Sequence, residues 1–160
     1  MLEPLKVNES AYKLIIFDWE GTLAKCGGSL FNGVKETLQT LAINNFTCAI
    51  ATSMCLPRLK NLVTQAGINS YFSYLQSADC GASKPDPKML TEVLTYTLFS
   101  SNEALMVGDS IYDLTMADNA DIDAVGVLSG ADTKKSLMMA NPQAILKSVV
   151  DLPEYLNIKQ

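Results

Sequence analysis

Lys13-Leu14-Ile15-Ile16-Phe17-Asp18-Trp19-Glu20-Gly21-Thr22-Leu23 is the stretch on which the reading of the chain turns. The run from Leu14 to Phe17 is continuously apolar and rich in β-formers, the pattern of a strand buried on both faces of a parallel sheet. It stops at a carboxylate, Asp18. Trp19, a second carboxylate at Glu20 and a glycine turn at Gly21-Thr22 follow. A buried strand that runs into two acids places charge at the carboxyl edge of a sheet, where open α/β folds hold their ligands. Residues two apart in a strand-like segment point the same way, so Asp18 and Glu20 face one site.

Working outward, strand-like runs alternate with helical ones. A helix starting at Asn32 or Ser29 is expected to run to about Asn44, with Val34, Leu38, Leu41 and Ala42 on one face. A second buried strand covers 47–51 and ends at Thr52-Ser53. Pro57 opens the next helix and Gly67 closes it. A weak third strand covers 71–75. Asp86 is read as the N-cap of a third helix, with Pro87 as its first residue, running to about Phe99. Strands at 104–107 and 122–127 flank a helix over 110–119. A short helix near 134–139, a small strand near 144–146 and a helical tail complete the chain, and 1–12 is a polar lead-in. This alternation predicts an α/β architecture: a three-layer, Rossmann-like domain spanning 1–160, with a mostly parallel five- or six-stranded sheet covered by helices on both faces.

Composition narrows the chemistry. The chain has 160 residues, 48% of them apolar, and a net charge of -5. No basic cluster marks a nucleic-acid surface, and no apolar run has the length of a membrane span. Residues 1–12 lack the layout of a signal peptide. The four cysteines, Cys26, Cys48, Cys55 and Cys80, have no paired spacing and are read as free thiols of a cytoplasmic protein. The sequence contains no histidine, which excludes serine–histidine triads and histidine-ligated zinc.

The remaining acids and hydroxyls then form a pattern. Asp18, Thr52 and Asp109 each follow an apolar strand directly, so a parallel sheet puts all three on one edge. Asp18, Asp109 and Asp113 make an all-oxygen donor set, which suits magnesium. Ser110 and Asp113 also have capping-box spacing, a plain structural role for Asp113. Lys84, held before Pro85, offsets carboxylate repulsion or binds a phosphate oxygen. Thr52 and Ser53, at a strand-to-helix turn, hold an anion or simply cap the helix. A nucleophilic aspartate among a lysine, hydroxyls and a magnesium site describes phosphoryl transfer through an aspartyl-phosphate.

These stretches resemble the haloacid dehalogenase (HAD) superfamily of aspartate-nucleophile phosphatases, most closely its phosphoglycolate-phosphatase-like branch. The family's Asp-x-Asp-Gly-Thr motif corresponds to Asp18-Trp19-Glu20-Gly21-Thr22. Its hydroxyl after a strand corresponds to Thr52, its lysine to Lys84-Pro85, and its Gly-Asp-Ser-x-x-Asp to Gly108 through Asp113. The resemblance implies Asp18 as the nucleophile and Glu20 as the acid–base group. It implies Thr52, Ser53 and Lys84 as phosphate-binding residues. Magnesium would be held by Asp18, the main-chain carbonyl of Glu20, Asp109 and Asp113. The implied partner is a phosphorylated substrate, either a small metabolite or a larger phosphomonoester.

Two departures from the family pattern bear on function. Glu20 stands where these phosphatases carry aspartate, and moves the carboxyl outward by one methylene. This departure supports an alternative, a phospho-ligand binding or regulatory protein with diminished turnover. The dehalogenase branch, which needs no magnesium and replaces the second acid, is disfavoured by Glu20 and Asp109. The phosphonate hydrolases, which use a cap lysine, are disfavoured by the absence of a cap. The intervals from Asp18 to Thr52 and from Thr52 to Lys84 leave no room for one. Capless relatives accept large substrates or borrow a neighbouring subunit of a homo-oligomer as a lid. The loop at 24–32 is the one local candidate for a flap.

Overall fold

Leu14–Phe17 forms β1, and all four of its side chains are fully buried. The computed structural model describes residues 10–158, so most of the expected lead-in at 1–12 lies outside the described residues. β1 pairs in parallel with β2 (Thr47–Thr52) on one side and with β4 (Ala104–Gly108) on the other. Completing the sheet are β3 (Phe72–Ser77), β5 (Asp123–Val127) and β6 (Ala144–Leu146), in the order β3-β2-β1-β4-β5-β6. Among the described residues the sheet has six strands, and every pairing between them is parallel.

Alternation along β1 sorts the two faces. Ile15 and Phe17 pack with α1 (Val34–Ile43), α2 (Leu56–Gln65) and the C-terminal helix α6 (Leu152–Tyr155). Leu14 and Ile16 pack with α3 (Lys88–Thr97), α4 (Ile111–Asn119) and α5 (Lys134–Met138). Each face is covered, which is why the strand reads as one apolar run and not as an alternation. Fully burying such a side chain contributes about 1.5–3 kcal/mol, so the centre of the sheet is its most strongly held part.

Element ends differ from the expectations in two places. α1 is not opened by Asn32 or Ser29. The residue before it is Gly33, at φ +84°, and no side chain caps the helix. A glycine adopts that left-handed turn without the steric cost that asparagine or serine would meet there. α3 begins at Lys88, with Pro87 in the flanking position, one residue later than expected. Asp86 still acts as the cap, because its Oδ1 accepts the Lys88 N–H at 2.8 Å. Gly67 follows the end of α2 at φ +69°, as a closing glycine should.

The strand order reverses at β1 and β4, so the loops leaving these two strands diverge and open a crevice between them. Asp18 and Asp109 are the first residues of those loops. The chain between β1 and β2 contributes a loop and α1 only. Within that loop, Lys25 N–H bonds Ser29 O and Phe31 N–H bonds Leu23 O, while Leu30 and Phe31 pack on the core. Among the described residues, no helix is long and apolar enough to cross a membrane. All four cysteines are free thiols.

Candidate active site

The loop after β1 closes around one carbonyl. Trp19 O accepts N–H groups from Thr22, Leu23 and Ala24 at 3.3, 2.9 and 3.0 Å. Trp19 itself is buried in the core. Asp18 and Glu20, on either side of it, both line a cleft of about 510 Å³. Asp18 is 8% exposed at its floor, anchored by its N–H to Val107 O at 3.0 Å, whereas Glu20 is exposed on the wall. Thr52, Ser53 and Lys84 line the same cleft, as does Asp109.

Lys84 ties the floor together. Its Nζ donates to Asp18 Oδ1 at 2.8 Å and to Asp113 Oδ1 at 2.6 Å. Asp113 is fully buried beneath the cleft. Its Oδ2 accepts from Ser110 N–H and Oγ, at 3.2 and 3.1 Å, while the Asp113 N–H bonds Ser110 Oγ at 3.3 Å. The capping box expected for Ser110 and Asp113 is therefore present, and the same carboxylate also holds the lysine. Asp109 is oriented by Thr22 Oγ1 on Oδ1 at 3.1 Å and by Ala131 N–H on Oδ2 at 2.9 Å. Two glycines make room for it: a Cβ at Gly21 or at Gly130 would overlap the Asp109 side chain. Thr52 Oγ1 accepts the Met54 N–H at 3.2 Å, which leaves its own proton for another acceptor.

Carboxylate oxygens of Asp18, Asp109 and Asp113 lie within 4.8 Å of one another. The Glu20 carboxylate is not part of this group. Three acid side chains face the single Lys84 ammonium, so the floor has carboxyl oxygens to spare for a cation. The donors are all oxygen, so the set fits magnesium. Burial pushes the Asp18 carboxyl well above the usual carboxylate range; Lys84 opposes the shift and Asp113 adds to it. Burial works against the Lys84 charge, but Asp18 and Asp113 outweigh it and raise the lysine's pKa.

Every residue singled out from the sequence is therefore found here: Asp18, Glu20, Thr52, Ser53, Lys84 and Asp109 on the cleft, with Asp113 directly beneath it. Sequence reasoning did not find Arg58 or Tyr112, which also line it. It also passed over the loop after β5. There Ser129 Oγ donates to Gly21 O at 2.8 Å, and Asp132 Oδ2 accepts the Ile111 N–H at 2.6 Å. One signal for Arg58 was legible, a cation in the first turn of a helix, where helices favour acids.

A doubly wound parallel sheet with this acid-and-lysine floor at its switch point defines an α/β domain with an aspartate-centred ligand site. Residues 5–127 match the family model for haloacid dehalogenase-like hydrolases, and the chain belongs to that family. It is 37% identical over 128 residues to a Dickeya dadantii protein named "Probable phosphatase IndB", a match covering 79% of this chain and 56% of that one. It is 32% identical over 127 residues to a phosphoglycolate phosphatase of Yersinia pestis, covering 79% of this chain and 55% of the relative. The chain thus spans about half the length of the curated relatives it matches. A crystal structure of a "predicted phosphoglycolate phosphatase" from Haemophilus somnus superposes with a TM-score of 0.81 at 17% identity, covering 92% of this chain and 99% of that one. That last likeness concerns the fold.

Proposed function

We propose that the protein is a magnesium-dependent phosphatase that hydrolyses a phosphate monoester through an aspartyl-phosphate on Asp18. The observation that carries this reading is Lys84 held between Asp18 and Asp113 at the foot of a cleft that Thr52 also lines. Asp18, Asp109 and Asp113, with the Glu20 main-chain carbonyl, would hold the metal. A bound magnesium ion would neutralise charge on the transferring phosphoryl group.

The chain's own residues would divide the work as follows. Thr52 Oγ1, Ser53 and Lys84 Nζ bind the phosphate oxygens and set the phosphorus over Asp18. An Asp18 oxygen forms the new bond to phosphorus while the bond from phosphorus to the ester oxygen breaks. Glu20 gives its proton to the departing oxygen. It then takes a proton from the water that attacks the aspartyl-phosphate, which releases inorganic phosphate and restores Asp18. The exposed position of Glu20 suits a group that must exchange protons with solvent.

The substrate is a phosphorylated metabolite or a larger phosphomonoester. The core carries no cap of its own in this reading, so water exclusion would come from the substrate's bulk or from a neighbouring subunit of a homo-oligomer. A magnesium-dependent p-nitrophenyl phosphate assay tests the reaction. Turnover that Asp18→Asn abolishes is the expected result. Wild type and Asp18→Asn proving equally inert would favour a binding or regulatory protein instead.

A further inference from the structure

The cleft holds one cation that the proposed reaction does not use. Arg58 lines it from α2, and its side chain is exposed. The ion pairs among the described residues are the two made by Lys84, so the Arg58 guanidinium has no carboxylate partner there. Glu20 lines the same cleft and is not paired with it.

The fold does not account for this placement. α2 begins at Leu56, which puts Arg58 in the first turn. Backbone dipoles at that end favour anions and disfavour cations. The Leu56 N–H is taken by Asp79 Oδ2 at 3.0 Å, a carboxylate where the helix favours one. Arg58 therefore stands at a helix end that favours anions, and makes no ion pair with a carboxylate there.

A bound substrate supplies the missing partner. The transferring phosphate already has a cation, Lys84, whose side chain is 9% exposed at the cleft floor. Arg58 stands at the solvent side, where the rest of the substrate would lie. A guanidinium pairs with a carboxylate or a phosphate through two parallel hydrogen bonds, a geometry a neutral group does not match. We propose that Arg58 is a specificity-determining residue that reads a second anionic group, on the leaving group of a phosphomonoester whose phosphate sits at Asp18 and Lys84. This inference rests on the phosphatase reading of the site. The cleft volume of about 510 Å³ is that of a small-metabolite pocket.

Binding and turnover test it separately. Calorimetry with magnesium present compares phosphonoacetate with ethylphosphonate on wild type, Arg58→Ala and Arg58→Lys. Steady-state kinetics compares phosphoglycolate and propanediol bisphosphate with ethyl phosphate. The expected result is a preference of about tenfold or more in wild type for the compounds that carry a second anionic group. That preference should collapse toward one in Arg58→Ala and survive in part in Arg58→Lys. A preference confined to the carboxylated compounds or to the bisphosphate identifies which anion is read. A wild type without preference overturns the inference. So does an Arg58→Ala that keeps the preference, or one that weakens compounds with and without the second anionic group equally. If the phosphonates bind with the Arg58-dependent preference and none of the esters is hydrolysed, the phosphatase reading fails while the role of Arg58 stands.

Discussion

Glu20 is the residue at which this site departs from the pattern of its family. Its carboxyl sits one methylene further from the chain than an aspartate's, and misplacing a catalytic group by about 1 Å can cost on the order of a hundredfold in rate. Glu20→Asp is therefore expected to raise kcat for p-nitrophenyl phosphate. A variant no faster than wild type would show a pocket built around glutamate. The thiols give a second test at this scale. Burial pushes the Cys48 thiol from 9.0 up to about 12. An acid whose folded pKa is raised contributes stability that is complete below its unfolded value and is lost as pH rises through the folded one. For Cys48 that window runs from about pH 9 to about pH 12, so alkaline unfolding should steepen there. Lys84, whose pKa its carboxylates also raise, adds a loss of the same sign above its ordinary value of 10.5. In native protein at pH 8, a thiol reagent should label exposed Cys26 and Cys55 and leave Cys48 untouched until unfolding. Native-state labelling of Cys48 would contradict its burial.

At the scale of elements, the site depends on backbone that stays out of the way. Asp109 fits because Gly21 and Gly130 have no Cβ, and Asp113 fits because Gly108 has none. Gly130→Ala should cost about 1–3 kcal/mol as an overpacking change. It should also weaken magnesium binding, because the side chain it displaces is Asp109. Thermal unfolding with and without magnesium separates the two effects. An unchanged metal-dependent rise in Tm would show that Asp109 is not a ligand. The same scale explains what the sequence made legible. β1 announced itself because a strand covered on both faces must be apolar throughout, and the acids after β1 and β4 declared the edge. The opening of α1 was misread because Gly33, at φ +84°, needs no capping side chain. The loop carrying Ser129, Gly130 and Asp132 went unread because its contacts, the Ser129 hydroxyl on Gly21 O, the Asp132 carboxylate on the Ile111 N–H, and the Ala131 N–H and open space at Gly130 beside Asp109, join it to residues distant in the chain at no fixed spacing.

For the whole molecule, the order β3-β2-β1-β4-β5-β6 turns residues far apart in the chain into one site. Lys84 arrives from the segment between β3 and α3, Thr52 from the end of β2, and Asp113 from the first turn of α4. These spacings were readable as motifs because a parallel sheet returns each strand end to the same edge. Arg58 belongs to none of these motifs, and its one sequence signal, a cation in the first turn of a helix, gains meaning only once its neighbours are known. The lysine network also bears on stability. Removing Asp113 strips a buried partner from Lys84, so Asp113→Ala should destabilise the fold by on the order of 3 kcal/mol in denaturant unfolding. A loss below about 0.5 kcal/mol would match an exposed pair and not this buried one. The central claim, however, is chemical: that Asp18 takes the phosphoryl group. Acid quenching of a turnover mixture with phosphorus-labelled substrate, followed by peptide mapping, measures this directly. The account predicts label on the peptide bearing Asp18, released by mild alkali and absent in Asp18→Asn. Turnover with no protein-bound label, or label on another residue, would contradict it.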